Sequence, residues 1–111
     1  MPIFLRLALI FVLACLHSGC INKNLSYEEG IASFRHQDYR RAFIRLLPEA
    51  INGRPDAQYA VGYMYYYGEG VTEDRKEAWK WIAKAGRAGQ IDAVEAMIIL
   101  RKQFDPNLLS H

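Results

Sequence analysis

From Ser26 onward, apolar positions recur at three- and four-residue spacing and are interrupted by glycine, proline and aspartate. That period belongs to helices, and the interruptions predict five of them, near 26–36, 39–52, 55–67, 74–88 and 91–104. Asp38 and Asp74 stand at N-cap positions, and Ser26 with Glu29 and Asp74 with Glu77 have capping-box spacing. Pro55 suits a first turn, where its missing N–H would have had no partner, and Gly53 and Gly89 stand where left-handed C-terminal caps are wanted. Pro106 stops the last helix, leaving a short tail with Leu108 and Leu109. No segment alternates with period two, so the predicted class is all-α.

An offset of 36 residues carries Asp38 onto Asp74, Ala42 onto Ala78, Gly53 onto Gly89, Ala57 onto Ala93, Ala60 onto Ala96 and Tyr27 onto Tyr63. Phe43 and Leu46 fall on Trp79 and Ile82, so bulk meets bulk. Such a period marks stacked units that cannot bury their apolar faces alone. Two hairpins plus one unpaired helix make a minimal solenoid, with the last helix covering a face that would otherwise be open.

Ala57, Ala60, Gly62, Tyr65, Gly68, Gly70, Val71, Asp74, Ala78, Trp81, Ala85 and Gly89 resemble the Sel1-like repeat, a relative of the tetratricopeptide repeat. Val61 replaces that pattern's usual leucine and Gly86 its second alanine. One complete unit spans Asp56 to Gly89. Gly30, Phe34, Asp38, Tyr39 and Ala42 resemble a tetratricopeptide-like hairpin that lacks the Gly-x-Gly-Val turn. The resemblance implies a short right-handed α–α solenoid of two hairpins plus a C-terminal capping helix, with the first helix of each repeat lining a concave, partner-binding surface.

The N-terminus has a different pattern. Arg6 precedes an unbroken apolar run from Leu7 to Leu16, followed by Ser18, Gly19 and Cys20, the layout of a secretory signal. The run falls short of the roughly 20 apolar residues that cross a bilayer. Ser18-Gly19-Cys20 resembles the lipobox of bacterial lipoproteins, with His17 in place of the usual apolar residue. Lipidation at Cys20 is expected; Cys15, ordinary cleavage and a retained anchor are the alternatives. The expected organisation is therefore a signal peptide at 1–19, a tether at 20–25, a tetratricopeptide-like hairpin at 26–53, a Sel1-like repeat at 54–89, and a partial repeat or cap at 90–111.

Composition narrows the chemistry. Lys and Arg total 14 against 12 Asp and Glu, so bulk charge gives no reason to expect a nucleic-acid partner. With Cys20 acylated and the leader removed, no cysteine remains for a disulfide or a nucleophile, and only His36 and His111 remain as imidazoles. No catalytic residue, metal ligand or cofactor is expected. Gly68-Glu69-Gly70-Val71 follows a helix and lacks the third glycine or the lysine of a phosphate loop, so it reads as the turn of a hairpin.

Ala57, Ala60, Val61, Met64 and Tyr65 trace one face of the third helix, and Tyr59, Tyr63 and Tyr66 or Tyr67 trace another at helical spacing. They form either core or a groove that grips a partner. Trp81 holds the family position and is the better core candidate, leaving Trp79 partly exposed. Basic stripes run through Arg41 and Arg45 and through Lys76, Lys80 and Lys84, either as solvated faces or as contacts to an anionic surface beside the anchor. The sequence predicts a lipid-anchored adaptor of the bacterial cell envelope, facing the periplasm or the exterior. Its partner is another protein or peptide. The competing reading, a cell-wall enzyme or its modulator, requires an acid and a base paired in the groove.

Overall fold

The computed structural model describes residues 2–104, with side chains at 2–13 and 25–103. It contains five α-helices among these residues: α1 (Pro2–Arg35), α2 (Tyr39–Ile51), α3 (Pro55–Tyr67), α4 (Arg75–Arg87) and α5 (Ile91–Phe104). Each packs on the next in chain order, and α1 also touches α3, which is the stacking of an α–α solenoid. No strand occurs among the described residues.

Three of the four junctions share one geometry. After α1, α2 and α4 a residue with positive φ, Gln37 (62°), Gly53 (100°) or Gly89 (88°), reverses the chain. The paired bonds of a Schellman cap close each end: Asp38 N–H to Ser33 O and Gln37 N–H to Phe34 O, Arg54 to Glu49 and Gly53 to Ala50, Gln90 to Ala85 and Gly89 to Gly86. Gln37 is the exception in residue type, because its Cβ crowds the backbone in this conformation. Gln37→Gly is therefore expected to stabilise the chain by about 1 kcal/mol, read as a higher urea midpoint at unchanged slope; an unchanged or lower midpoint would contradict this assignment of strain.

The predicted boundaries from Tyr39 onward agree with these elements to within a residue. At the N-terminus they differ. The helix expected to begin at Ser26 instead runs unbroken from Pro2, so the backbone at 20–25 is helical and Ser26 caps nothing. Extending an existing helix through Ile21-Asn22-Lys23-Asn24-Leu25, which holds neither glycine nor proline, costs less than nucleating a new one at Ser26. The capping box at Asp74 is half formed. Asp74 accepts from the N–H groups of Lys76 and Glu77, but Glu77 pairs with Lys80, and the Asp74 N–H goes to the Tyr65 carbonyl.

Two apolar clusters form the core. Ala42, Leu46, Ala50, Ala57, Ala60, Val61 and Met64 join α2 to α3, with Ile31 and Phe34 of α1 packed against them. Ala78, Ile82, Ala85, Ala93 and Leu100 join α4 to α5. Alanine and glycine at the crossings let the backbones approach closely: a Cβ at Gly30 would lie 2.7 Å from Leu46 Cδ2, and one at Gly62 2.7 Å from Ile82 Cγ1. The two ends of the stack stay open. Side chains from Ile3 to Leu13 are largely exposed, and although α5 covers α4, its own Ile91, Val94 and Ile98 face outward. No described helix is long and apolar enough to cross a membrane.

Candidate functional site

The α3 helix is packed on two sides. Ala57, Ala60, Val61 and Met64 are buried, while Tyr59, Tyr63, Tyr66 and Tyr67 emerge on the remaining face. Facing them is α5, which contributes Asp92, Glu95, Ile99 and Gln103 at helical spacing. Between the two walls lies a groove of about 260 Å³, with Ile82, Ala96 and Leu100 beneath. Local sequence places both walls: Pro55 starts α3 at its first turn, and the Gln90 side chain caps α5 by accepting from the Ala93 N–H at 2.6 Å.

Three of the four, Tyr63, Tyr67 and Tyr66, form a continuous aromatic array. Tyr63 lies edge-on to Phe34 (5.3 Å between centroids), stacks on Tyr39 (6.3 Å) and touches Tyr67 (4.7 Å), which meets Tyr66 edge-on (4.9 Å). Such pairs add about 0.5–1.5 kcal/mol each beyond area burial, so the array is itself preorganised. Arg75 lies 4.1 Å over the Tyr66 ring and donates to its hydroxyl, which in turn donates to Gln103 Oε1 at 3.3 Å and ties α3 to α5. Burial, then Asp92, holds the Tyr59 phenol above its ordinary pKa; burial, then Tyr39, does the same at Tyr63. Both remain neutral hydrogen-bond donors at physiological pH.

All four tyrosines predicted as partner contacts line this one groove, and Tyr67 is the most open, at 58% exposure. Tyr65 turns away and meets Phe43 at 5.5 Å. Trp79 is partly exposed, as expected, but Trp81 is no more buried than it is. Both are half-buried, Trp81 against the α2/α3 cluster and Trp79 against the α4/α5 cluster, because a two-residue step on α4 points them to either side of a helix packed on both. The basic candidates lie on α2 and α4, and none lines the groove. Arg45 pairs with Glu29 at 3.2 Å, Lys80 with Glu77 at 2.7 Å, and Lys84 sits 5.6 Å over Trp81, whereas Arg41 and Lys76 are exposed. Exposed pairs of this kind contribute little to stability. The side chains of Cys20 and Cys15 lie outside the described residues, as do Leu108 and Leu109.

The α5 wall escaped sequence reasoning. Asp92, Glu95, Ile99 and Gln103 do trace a helical stripe, but only the packing of α5 on α4 turns that stripe toward α3. Asp92 and Glu95 come from the same wall, with only tyrosines opposite, so they do not flank a bound chain as the two carboxyls of a glycan-cleaving site do. No group of three His, Cys, Asp or Glu that could hold a metal occurs among the described residues.

The hairpin turn completes the local signature. Gly68 ends α3 in the left-handed conformation, Gly70 repeats it at φ 72°, Val71 packs back onto the core, and Asp74 caps α4. Residues 55–90 match the family model of the Sel1 repeat. The Sel1 unit thus includes α3, its four tyrosines and α4, while the opposite wall of the groove follows it in α5. Sel1 repeats generally mediate protein–protein interaction and are generally non-enzymatic. Over 49 residues the chain is 41% identical to the chitin synthase regulator SKT5 of Saccharomyces cerevisiae, a match that takes in 44% of this chain and 7% of that protein. No solved structure matches the chain.

Proposed function

We propose that the chain is an adaptor, anchored in a bacterial cell envelope through a lipid on Cys20, that binds another protein in the α3/α5 groove. The observation that carries the binding role is the groove itself. Four tyrosines from a Sel1 unit line one concave surface, and three of them, Tyr63, Tyr67 and Tyr66, are held in register by ring contacts and by Arg75 over Tyr66. Preorganised aromatic side chains bind at low entropic cost and are enriched where interfaces concentrate their energy. The relative named as a chitin synthase regulator is also a Sel1-repeat protein.

The anchor rests on the N-terminal sequence and on a largely apolar segment, residues 3–13, whose side chains are exposed rather than packed in the solenoid core. Tethering would raise the local concentration of the groove at the membrane, so that a modest affinity suffices. Mass spectrometry of Cys20→Ser is expected to show loss of an acyl mass carried by the wild-type chain. Retention of that mass would move the modification to Cys15 or remove it from this scheme.

For the binding role, the test is a photo-crosslinker in place of Ile99, which lines the groove and is half exposed. A protein adduct of defined mass, abolished by Tyr67→Ala, is the expected result. An adduct indifferent to Tyr67→Ala, or none in cells expressing the full chain, would sink the proposal.

A further inference from the structure

Among the described residues, three surface concavities differ in charge. The cleft between α4 and α5 is bordered by Arg87, Arg101 and Lys102 with no carboxylate, and the depression on α2 holds Arg40, Arg41 and Arg45 against Asp38 alone. The tyrosine groove reverses this balance: Asp92 and Glu95 line it, and Arg75, the cation that lies over its Tyr66 ring, is already paired with Glu73. In a chain of net charge +2, negative charge is thus concentrated where the aromatic rings are. Glu95 has no ion-pair partner among the described residues, and Asp92 receives one hydrogen bond, from Gln90 Nε2 at 3.3 Å.

Tyrosine faces attract cations through the ring quadrupole, and most effectively where water is partly excluded. The protein uses this interaction internally, with Arg75 over Tyr66 at 4.1 Å and Arg54 over Tyr27 at 4.2 Å. The groove's volume of about 260 Å³ falls below the roughly 300–1,000 Å³ of small-molecule pockets and suits one or two inserted side chains.

We propose that the groove receives a basic segment of the protein partner, with an arginine laid across Tyr59, Tyr63 and Tyr67 and its guanidinium against Asp92 and Glu95. This rests on the reading of the groove as the partner site. Arginine fits better than lysine because its planar guanidinium stacks on a ring while its N–H fork engages carboxylates.

The test titrates the full chain, held in non-ionic detergent, with two capped octapeptides that alternate alanine with either arginine or glutamate. Tyrosine ring resonances are followed by NMR. The arginine peptide is expected to shift Tyr59, Tyr63 and Tyr67 saturably, to bind about tenfold more weakly to an Asp92→Asn, Glu95→Gln double variant, and to weaken further with added salt. The glutamate peptide is expected to leave the rings unmoved. Both substituted carboxylates are exposed, so the variant keeps its fold. Unmoved rings with the arginine peptide, equal binding of the glutamate peptide, or unchanged affinity in the double variant would each overturn the proposal. Any of these outcomes beside a Tyr67-dependent crosslink at Ile99 would leave the groove as the partner site and remove only its basic occupant.

Discussion

Gly70→Ala is expected to destabilise the protein by about 3 kcal/mol or more, combining roughly 1–2 kcal/mol for a side chain in left-handed backbone with roughly 1–3 kcal/mol for overpacking. The overpacking arises because a Cβ at Gly70 would lie 2.5 Å from the Tyr39 carbonyl carbon and 2.7 Å from the Arg40 nitrogen. Backbone on both sides leaves nothing flexible to move aside. Gly53→Ala separates the two effects, since Gly53 has positive φ but nothing within 4 Å of its would-be Cβ, and its cost should stay near the first component alone. For a domain of this size each kcal/mol lowers the melting temperature by about 4–8 °C, so thermal unfolding resolves the difference. Equal losses at the two glycines would contradict the close approach. The effect reaches the groove as well, because Tyr39, whose peptide Gly70 abuts, carries the ring that stacks on Tyr63.

Leu46→Ala is expected to cost about 3 kcal/mol, within the range for emptying a fully buried leucine site. Leu46 occupies the space that Gly30 leaves at the crossing of α1 and α2, and a Cβ at Gly30 would lie 2.8 Å from Leu46 Cγ. Gly30→Ala should therefore destabilise through that clash. In the double variant the alanine methyl enters the vacated volume, and the loss should fall short of the two single losses combined by about 1 kcal/mol. Strict additivity in urea unfolding would show that the two residues do not share the space described.

The residues that announce helix ends act locally, which is why Asp38, Asp74, Pro55, Gly53 and Gly89 made the elements after Tyr39 legible without a structure. The tyrosine stripe was legible for the same reason: residues at helical spacing must share a face of α3. What that face would meet was not. Whether Asp92 and Glu95 look toward Tyr59 or into solvent depends on how α5 rolls on α4, a matter decided by contacts such as Gly86 with Met97 that no spacing rule encodes. The same limit hid the second role of Gly70. Its sequence context marked a turn, but only tertiary packing brings that turn against Tyr39. At Ser26 a correct local signal lost to the helix already running through it.

The proposed recognition site is the α3/α5 groove and not the basic stripes of α2 and α4. Paired photo-crosslinking in cells expressing the full chain tests it directly, with one probe at Ile99 in the groove and one at Lys80, exposed on α4. The expected result is a discrete protein adduct from Ile99 and none of the same mass from Lys80. The same adduct from Lys80 with none from Ile99 would contradict the claim.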